Sequence, residues 1–249
     1  MKHYLKYELK NTFGNIFSII FGILFPIMMT LLFYNMFSSN EAIPKDALAL
    51  QLYLTNVLMS PLAMVFVGFS ALFSQEIEHD VTTRMLLFGY TTSNQLKTKF
   101  VAQMVAMGIA LAIFSAVIVP LLGIGAPSIF GFIVFIVFFA IISMILFVIA
   151  YSITLLTRKF SLTYGISMTL YFATMIFSGM MGIQTSNFKG IMKGISNLLP
   201  TTYFVNDMPT IWTATSYNFA PMIQSLVFFA GIAGILYVIA YNKTKRSIH

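Results

Sequence analysis

Residues 100–157 read FVAQMVAMGIALAIFSAVIVPLLGIGAPSIFGFIVFIVFFAIISMILFVIAYSITLLT, 58 positions between Lys99 and Arg158 without one charged side chain. As a single helix this run would be roughly 87 Å long at about 1.5 Å per residue, nearly three times the ~30 Å hydrocarbon core of a bilayer. It divides at Pro120-Leu-Leu-Gly-Ile-Gly-Ala-Pro127, where two prolines and two glycines within eight residues predict a tight turn between two helices. Outward from it the same pattern repeats: 30 uncharged residues separate Lys10 from Glu41, 29 separate Asp46 from Glu76, 29 separate Lys159 from Lys189 and 35 separate Asp207 from Lys243. Each exceeds the ~20 apolar residues that cross a membrane. The expected fold is therefore all-α and polytopic, a single transmembrane domain over residues 1–249 with six spans near 16–38, 48–74, 100–122, 128–156, 161–182 and 219–241.

Composition agrees. Hydrophobic residues make up 59% of the chain and charged ones 8%, against roughly 45–50% and 25% in soluble domains. A mean hydropathy of +0.89 leaves too little polar surface for a soluble enzyme, a disordered chain or a nucleic-acid-binding domain. With no cysteine, disulfides, thiolate metal sites and thiol catalysis are excluded. A cleaved signal peptide is the competing reading of the first span. That run is longer than a signal core of roughly 7–15 residues, and no small-x-small site precedes Ser38-Ser39-Asn40-Glu41. Counting Lys and Arg on alternate sides puts 11 with the two termini and 3 (Lys45, Lys189 and Lys193) opposite, which predicts a plasma-membrane protein with both termini in the cytoplasm.

Three stretches outside the spans are amphipathic. In residues 76–88, Ile77, Val81, Arg84, Met85 and Phe88 fall on one helical face that is apolar except for Arg84. Such a cytoplasmic helix either docks on a partner or packs on the protein's own helix ends. The outer segment, 187–212, places Phe188, Ile191, Ile195, Leu198 and Leu199 on one face, is ended by Pro200, and leads to Tyr203, Phe204, Trp212 and Tyr217. It suits the headgroup layer, lying flat or dipping in as a re-entrant pair, or else is a structured loop with belt aromatics. At the N-terminus, residues 1–14, Leu5, Leu9, Phe13 and Ile16 recur beside a row of Lys2, Lys6 and Lys10, as in a helix lying along the inner leaflet.

Function is constrained by what the spans lack. The Asp, Glu, Lys, Arg and His residues fall outside them or at their edges, whereas ion-coupled carriers keep such groups at membrane depth. No Gly-x-x-x-x-Gly-Lys-Ser/Thr phosphate loop exists, so uphill transport needs an ATPase on another chain. The cluster Glu76, Glu78, His79 and Asp80 invites an intramembrane hydrolase or metal reading, but the other histidines, His3 and His249, are terminal and no His-Glu-x-x-His is present. A solvated cluster ending the second span is the expected account. Neutral polar residues do line two spans at helical spacing: Asn56, Ser60 and Ser70 on the second, and Thr163, Ser167, Tyr171, Thr174 and Ser178 on the fifth. Such stripes either pack helices closely or line a path for an amphipathic substrate.

The whole pattern resembles the membrane subunit of bacterial ABC exporters of the type-2 permease family. It is carried by the amphipathic N-terminus, six spans, the helix between the second and third, and the outer segment before the sixth. Around the connecting helix, Glu76 and Glu78, Thr83, Leu86-Leu87, Thr92-Ser93 and Lys99 stand where the family has acidic residues, Thr, a Leu pair, a turn and a Lys. Gly89-Tyr90 replaces the family's proline and Thr82 its glycine. The resemblance implies a non-enzymatic permease subunit that pairs with a second permease copy or a paralogue. A partner ATPase supplying ATP and magnesium would dock through Glu76, Glu78, Val81, Arg84, Met85, Leu86 and Phe88, with residues 76–88 acting as one rigid lever. The striped faces of the second and fifth helices would then border the path. The implied cargo is an antimicrobial or cytolytic peptide, a drug or a lipid. A stand-alone carrier or a peptide-immunity protein is the alternative.

Overall fold

A computed structural model describes residues 2–39, 44–180 and 184–246. Helix α1 (Lys2–Gly14) precedes α2 (16–37), which is π-helical over Ile20–Leu24. Next come α3 (Lys45–Glu78), π-helical over Leu62–Gly68, α4 (Val81–Leu87), α5 (Thr92–Leu122), α6 (Ile129–Thr157) and α7 (Phe160–Phe177). The outer helices α8 (Gly190–Leu198) and α9 (Pro200–Ile211) lead to α10 (Ala220–Arg246). Helices α2, α3, α5, α6, α7 and α10 are each long and apolar enough to cross a membrane. All-helical polytopic architecture with six spans is thus what the protein has.

Helix α3 is the hub. In its most apolar window 94% of residues are buried inside the protein, against 22% for each of α2, α7 and α10. Those three therefore turn most of their apolar surface outward, as lipid-facing helices do. Span α2 approaches α3 through two reciprocal contacts at their π-helical turns. A Cβ on Gly22 would lie 2.4 Å from Met64 Cγ, and one on Gly68 would lie 2.3 Å from Ser18 Oγ, so only glycine admits the neighbour. The hydroxyl of Ser60 donates to the Gly22 carbonyl at 2.8 Å across the same seam.

Several boundaries differ from expectation, each for a local reason. Span α5 begins at Thr92 rather than near residue 100, because the Thr91 hydroxyl caps it from Asn94 N and because Gln95, Thr98, Lys99 and Gln103 are buried against protein, not lipid. Span α7 ends at Phe177, followed by left-handed Gly179; residues 181 and 182 of the expected span lie outside the described residues, as do Glu41 and His249. Pro200 does end α8, but it also opens α9, whose Phe204, Val205, Met208 and Ile211 are core residues. Phe204 and Trp212 are accordingly not belt aromatics. The Trp212 ring packs edge-on against Tyr53 and Phe135, and its Nε1 donates to the Gly125 carbonyl at 2.9 Å, tying the outer segment to the α5–α6 turn. The covered face of α1 is Tyr4, Glu8 and Thr12, while Leu5, Leu9 and Phe13 are half-buried and Ile16 is exposed.

Candidate functional site

One end of the bundle gathers α1, the α3–α5 connection, the α6–α7 turn and the end of α10. The chain builds a charged joint there. Lys99, in the second turn of α5, points its ammonium between two carboxylates, 2.7 Å from Glu8 Oε1 of α1 and 2.5 Å from Glu76 Oε2 of α3. Asn11 Nδ2 donates to the other oxygen of Glu76 at 3.0 Å, and the Phe73 ring lies 5.7 Å from the ammonium. All three charged residues are buried, and Gln103 continues the seam by donating to Thr12 Oγ1 at 3.2 Å. Burying three ions is tolerable because each is paired and hydrogen-bonded. The expectation of a solvated cluster thus fails for Glu76, which is a structural ion, and holds for exposed His79 and Asp80. Above the joint, the Tyr4 ring packs against Tyr90 at 4.9 Å between centroids, tilted by 36°; burial, then its bond to Glu8, raises its phenol well above the ordinary tyrosine value.

Glu78 does different work, although only two residues away. Its Oε2 accepts the backbone N–H of Phe160 at 2.7 Å, placing a carboxylate on the N-terminus of α7. The connecting helix itself is shorter than expected. Asp80 takes a left-handed conformation, φ +55°, which separates α3 from α4, so residues 76–88 are two helices and not one lever. Asp is among the few non-glycine residues that tolerate this conformation. Ile77 consequently belongs to α3, whereas Val81, Arg84 and Met85 lie on α4 and Phe88 terminates it. The elbow is pinned by Arg84, which donates to the His79 carbonyl at 2.6 Å, and by buried Gln95, which donates to the Tyr90 carbonyl at 2.8 Å and that of Thr82 at 3.3 Å. No residue of α4 is buried. Leu86, Leu87 and Phe88 are 46%, 83% and 77% exposed, an apolar tip that nothing in this chain covers among the described residues.

The neutral stripes lie elsewhere. Asn56 donates to Thr30 Oγ1 of α2 at 3.0 Å, Ser70 to Ser167 of α7 at 2.8 Å, and Thr163 and Ser178 meet Thr157 and Thr201 at 2.5 Å. With Ser60 on Gly22, these donors and hydroxyls meet partners on neighbouring helices of one protomer, while the buried Asn56 Oδ1 has no hydrogen-bond partner among the described residues. Tyr171 is 1% exposed and its hydroxyl has no hydrogen-bond partner among the described residues. Thr174 alone of the eight is only half-buried.

A hub helix wrapped by five lipid-facing or half-buried spans, with a short exposed helix slung from one end, defines a membrane-embedded chain with an uncovered apolar tip outside its spans. Residues 1–211 match the ABC-2 type transporter family, a stretch that takes in α1 to α9, and the chain belongs to that family. It is the membrane component of such a transporter, not its ATPase, and membership implies an ABC ATPase partner and a bilayer. No curated protein and no solved structure matches the chain.

Proposed function

We propose that this chain is the permease subunit of an ATP-driven exporter, working with a second permease copy or a paralogue in the plasma membrane with both termini in the cytoplasm. The observation that carries the reading is the uncovered apolar tip of α4, Leu86, Leu87 and Phe88, outside the six spans and at the end bearing 11 of the 14 basic residues. Apolar residues so exposed at the foot of a membrane bundle suit a cleft on a soluble ATPase, which brings the ATP and magnesium. Around that contact Val81, Arg84 and Met85 complete the docking helix, with Glu78 and Glu76 holding its root. A push on α4 passes through Arg84 to the end of α3, through Gln95 into α5, and from α5 through Lys99 into α3 and α1.

The cargo is amphipathic or hydrophobic, in keeping with 17 methionines and 26 phenylalanines that give adaptable apolar walls. Its path runs beside α3 and α7. Thr174 is the stripe residue nearest the surface, and Asn56, Ser60, Ser70, Thr163, Ser167, Tyr171 and Ser178 become available only when α2 and α7 part from α3. The test is copurification with an ABC ATPase. Leu87→Asp and Phe88→Asp should abolish it while leaving thermal stability within about 0.5 kcal/mol, since both side chains are exposed. Transport by the chain without any ATPase, or full ATPase pairing by both variants, would overturn the reading.

A further inference from the structure

A small cavity of about 20 Å³ lies where α2, α3 and α7 meet, beside the two π-helical turns. Phe21, Ala63, Val67 and Met168 make most of its lining apolar, but Ser18 of α2 and Tyr171 of α7 bring two hydroxyls to it. Both side chains are more than nine-tenths buried, 2% and 1% exposed, and neither Ser18 Oγ nor the Tyr171 hydroxyl has a hydrogen-bond partner among the described residues. Buried hydroxyls left unpaired are costly, and so they are rare in folded proteins. For Ser18 the cause is local. Buried hydroxyls elsewhere in this chain return to the carbonyl four residues back, as Thr30 does to Pro26 and Ser152 to Val148, at 2.7 Å each. The carbonyl four residues before Ser18 belongs to Gly14, on the far side of the break at residue 15 that ends α1. A third oxygen stands close by. The Ala63 carbonyl and Ser18 Oγ are both neighbours of the point that a Cβ on Gly68 would occupy, so they are no more than about 5.4 Å apart, a distance that one water spans with two hydrogen bonds. The two lone pairs of that carbonyl let it accept from a water as well as from its own helix.

We propose that this cavity is a binding site for one ordered water, which pairs with Ser18 Oγ, the Tyr171 hydroxyl and the Ala63 carbonyl and so joins α2, α7 and α3 at a single point. Volume and polarity both select it. About 10–15 Å³ suffices for one water, and a bound water takes two to four polar partners. A cargo group or an acyl chain does not fit in 20 Å³, and a calcium or magnesium ion takes about six oxygen ligands against the three at hand. The water has a route in, because Ala71 and Tyr164 line both this cavity and a larger cleft of about 850 Å³ between α1, α2, α3 and α7, at the end of the bundle that carries the charged joint. Direct hydrogen bonds join these spans in pairs, Ser60 to Gly22 between α3 and α2 and Ser70 to Ser167 between α3 and α7. The water holds all three together. Neither the ATPase nor the cargo enters the argument, so the site stands or falls apart from the exporter reading.

The experiment takes the full chain in nanodiscs, in water enriched in oxygen-18, and generates hydroxyl radicals by X-ray pulses. Radicals form from waters in place, so a buried tyrosine is oxidised only where a water touches it. Tyr171 should take up the heavy oxygen despite its burial, whereas Tyr53, 3% exposed with its hydroxyl bonded to Ser115, should not. Val67→Ile fills the cavity from α3 and should remove the Tyr171 label. Thermal melting supplies a readout of opposite sign for the two cases. With a bridging water, Tyr171→Phe and Ser18→Ala should each lower the melting temperature by roughly 2–4 °C, and together by little more than either alone. A hydroxyl that is simply orphaned predicts a melting temperature unchanged or raised in Tyr171→Phe, since the change removes an unpaired buried dipole. Should Tyr171→Phe fail to purify as a single species, Ser18→Ala carries the melt and should also weaken the Tyr171 label. An unlabelled Tyr171, equal labelling of Tyr53, a label that survives Val67→Ile, or variants that melt at or above the parent would each overturn the proposal. Stabilisation by sodium over potassium at equal ionic strength would overturn it too, by assigning the site to a cation.

Discussion

Replacing Lys99 by Met removes the cation from a joint in which everything else stays. Glu8 and Glu76 are then left buried, with side-chain exposures of 6% and 10%, and their oxygens, both bonded to the same ammonium, are no more than about 5 Å apart. Two like charges at that separation repel by about 3 kcal/mol at an effective dielectric near 20, and losing one partner of a buried ion pair costs roughly 3–5 kcal/mol in measured cases. A destabilisation of about 3–5 kcal/mol corresponds to a melting temperature lowered by roughly 10 °C for a chain of this size. The full chain in detergent, heated in steps and followed by the monodisperse fraction on size exclusion, reads this directly. Adding Glu76→Gln to Lys99→Met removes one of the two opposed charges and should restore most of the loss, whereas Glu76→Gln alone should cost less than Lys99→Met, because the Lys99–Glu8 pair survives. Limited proteolysis supplies a second readout: α1 is held to α3 and α5 by this joint, so cleavage within residues 2–14 should accelerate in Lys99→Met and slow again in the double variant. The reasoning is refuted if Lys99→Met melts within a few degrees of the parent, or if the double variant is no more stable than the single.

Two further outcomes follow from buried hydroxyls. Ser70→Ala and Ser167→Ala should each cost about 0.6–1.7 kcal/mol, and together little more than either alone, since the second change removes an orphaned partner. A thermal-melt cycle measures this; a shift in the concentration dependence of transport with melting unchanged would place the pair on the cargo path instead of in a packing seam. Tyr4→Phe should alter alkaline behaviour. The folded phenol holds its proton above the unfolded value of 10.0, so its contribution is fully present below pH 10 and is lost as pH rises further, by at most about 1.4 kcal/mol per pH unit. The wild type should therefore fall more steeply than Tyr4→Phe above pH 10 in melts across that range, and parallel curves would refute it.

The six spans were readable because bilayer thickness forces an uncharged run of fixed minimum length, a one-dimensional signal. The joint was not, because the same reading treats every charge as a marker of water. Glu8 and Lys99 are 91 residues apart, and nothing in local periodicity says that they meet. A partial signal existed: Glu8 is the lone acid among Lys2, Lys6 and Lys10, and it shares a helical row with Tyr4 and Thr12, the row that proves to be buried. A carboxylate kept on a covered face needs a cation, but 11 basic residues lie at that end and nothing in the sequence singles out Lys99 among them.

The break at Asp80 shows the converse limit. Helical spacing from Ile77 to Phe88 is unbroken in the sequence, but a single left-handed residue reorients everything after it without disturbing the count. Across the break the ties are side chains: Arg84 binds α4 back to the end of α3, Gln95 binds it to α5, and Lys99 joins α5 to α3, all polar residues that composition alone assigns to the solvent. The stripes are the remaining case. Spacing can show that Ser70 and Ser167 avoid lipid, but whether they face a path or each other depends on how far α3 and α7 stand apart. In this arrangement the two hydroxyls face each other at 2.8 Å, and a path between them requires α7 to part from α3.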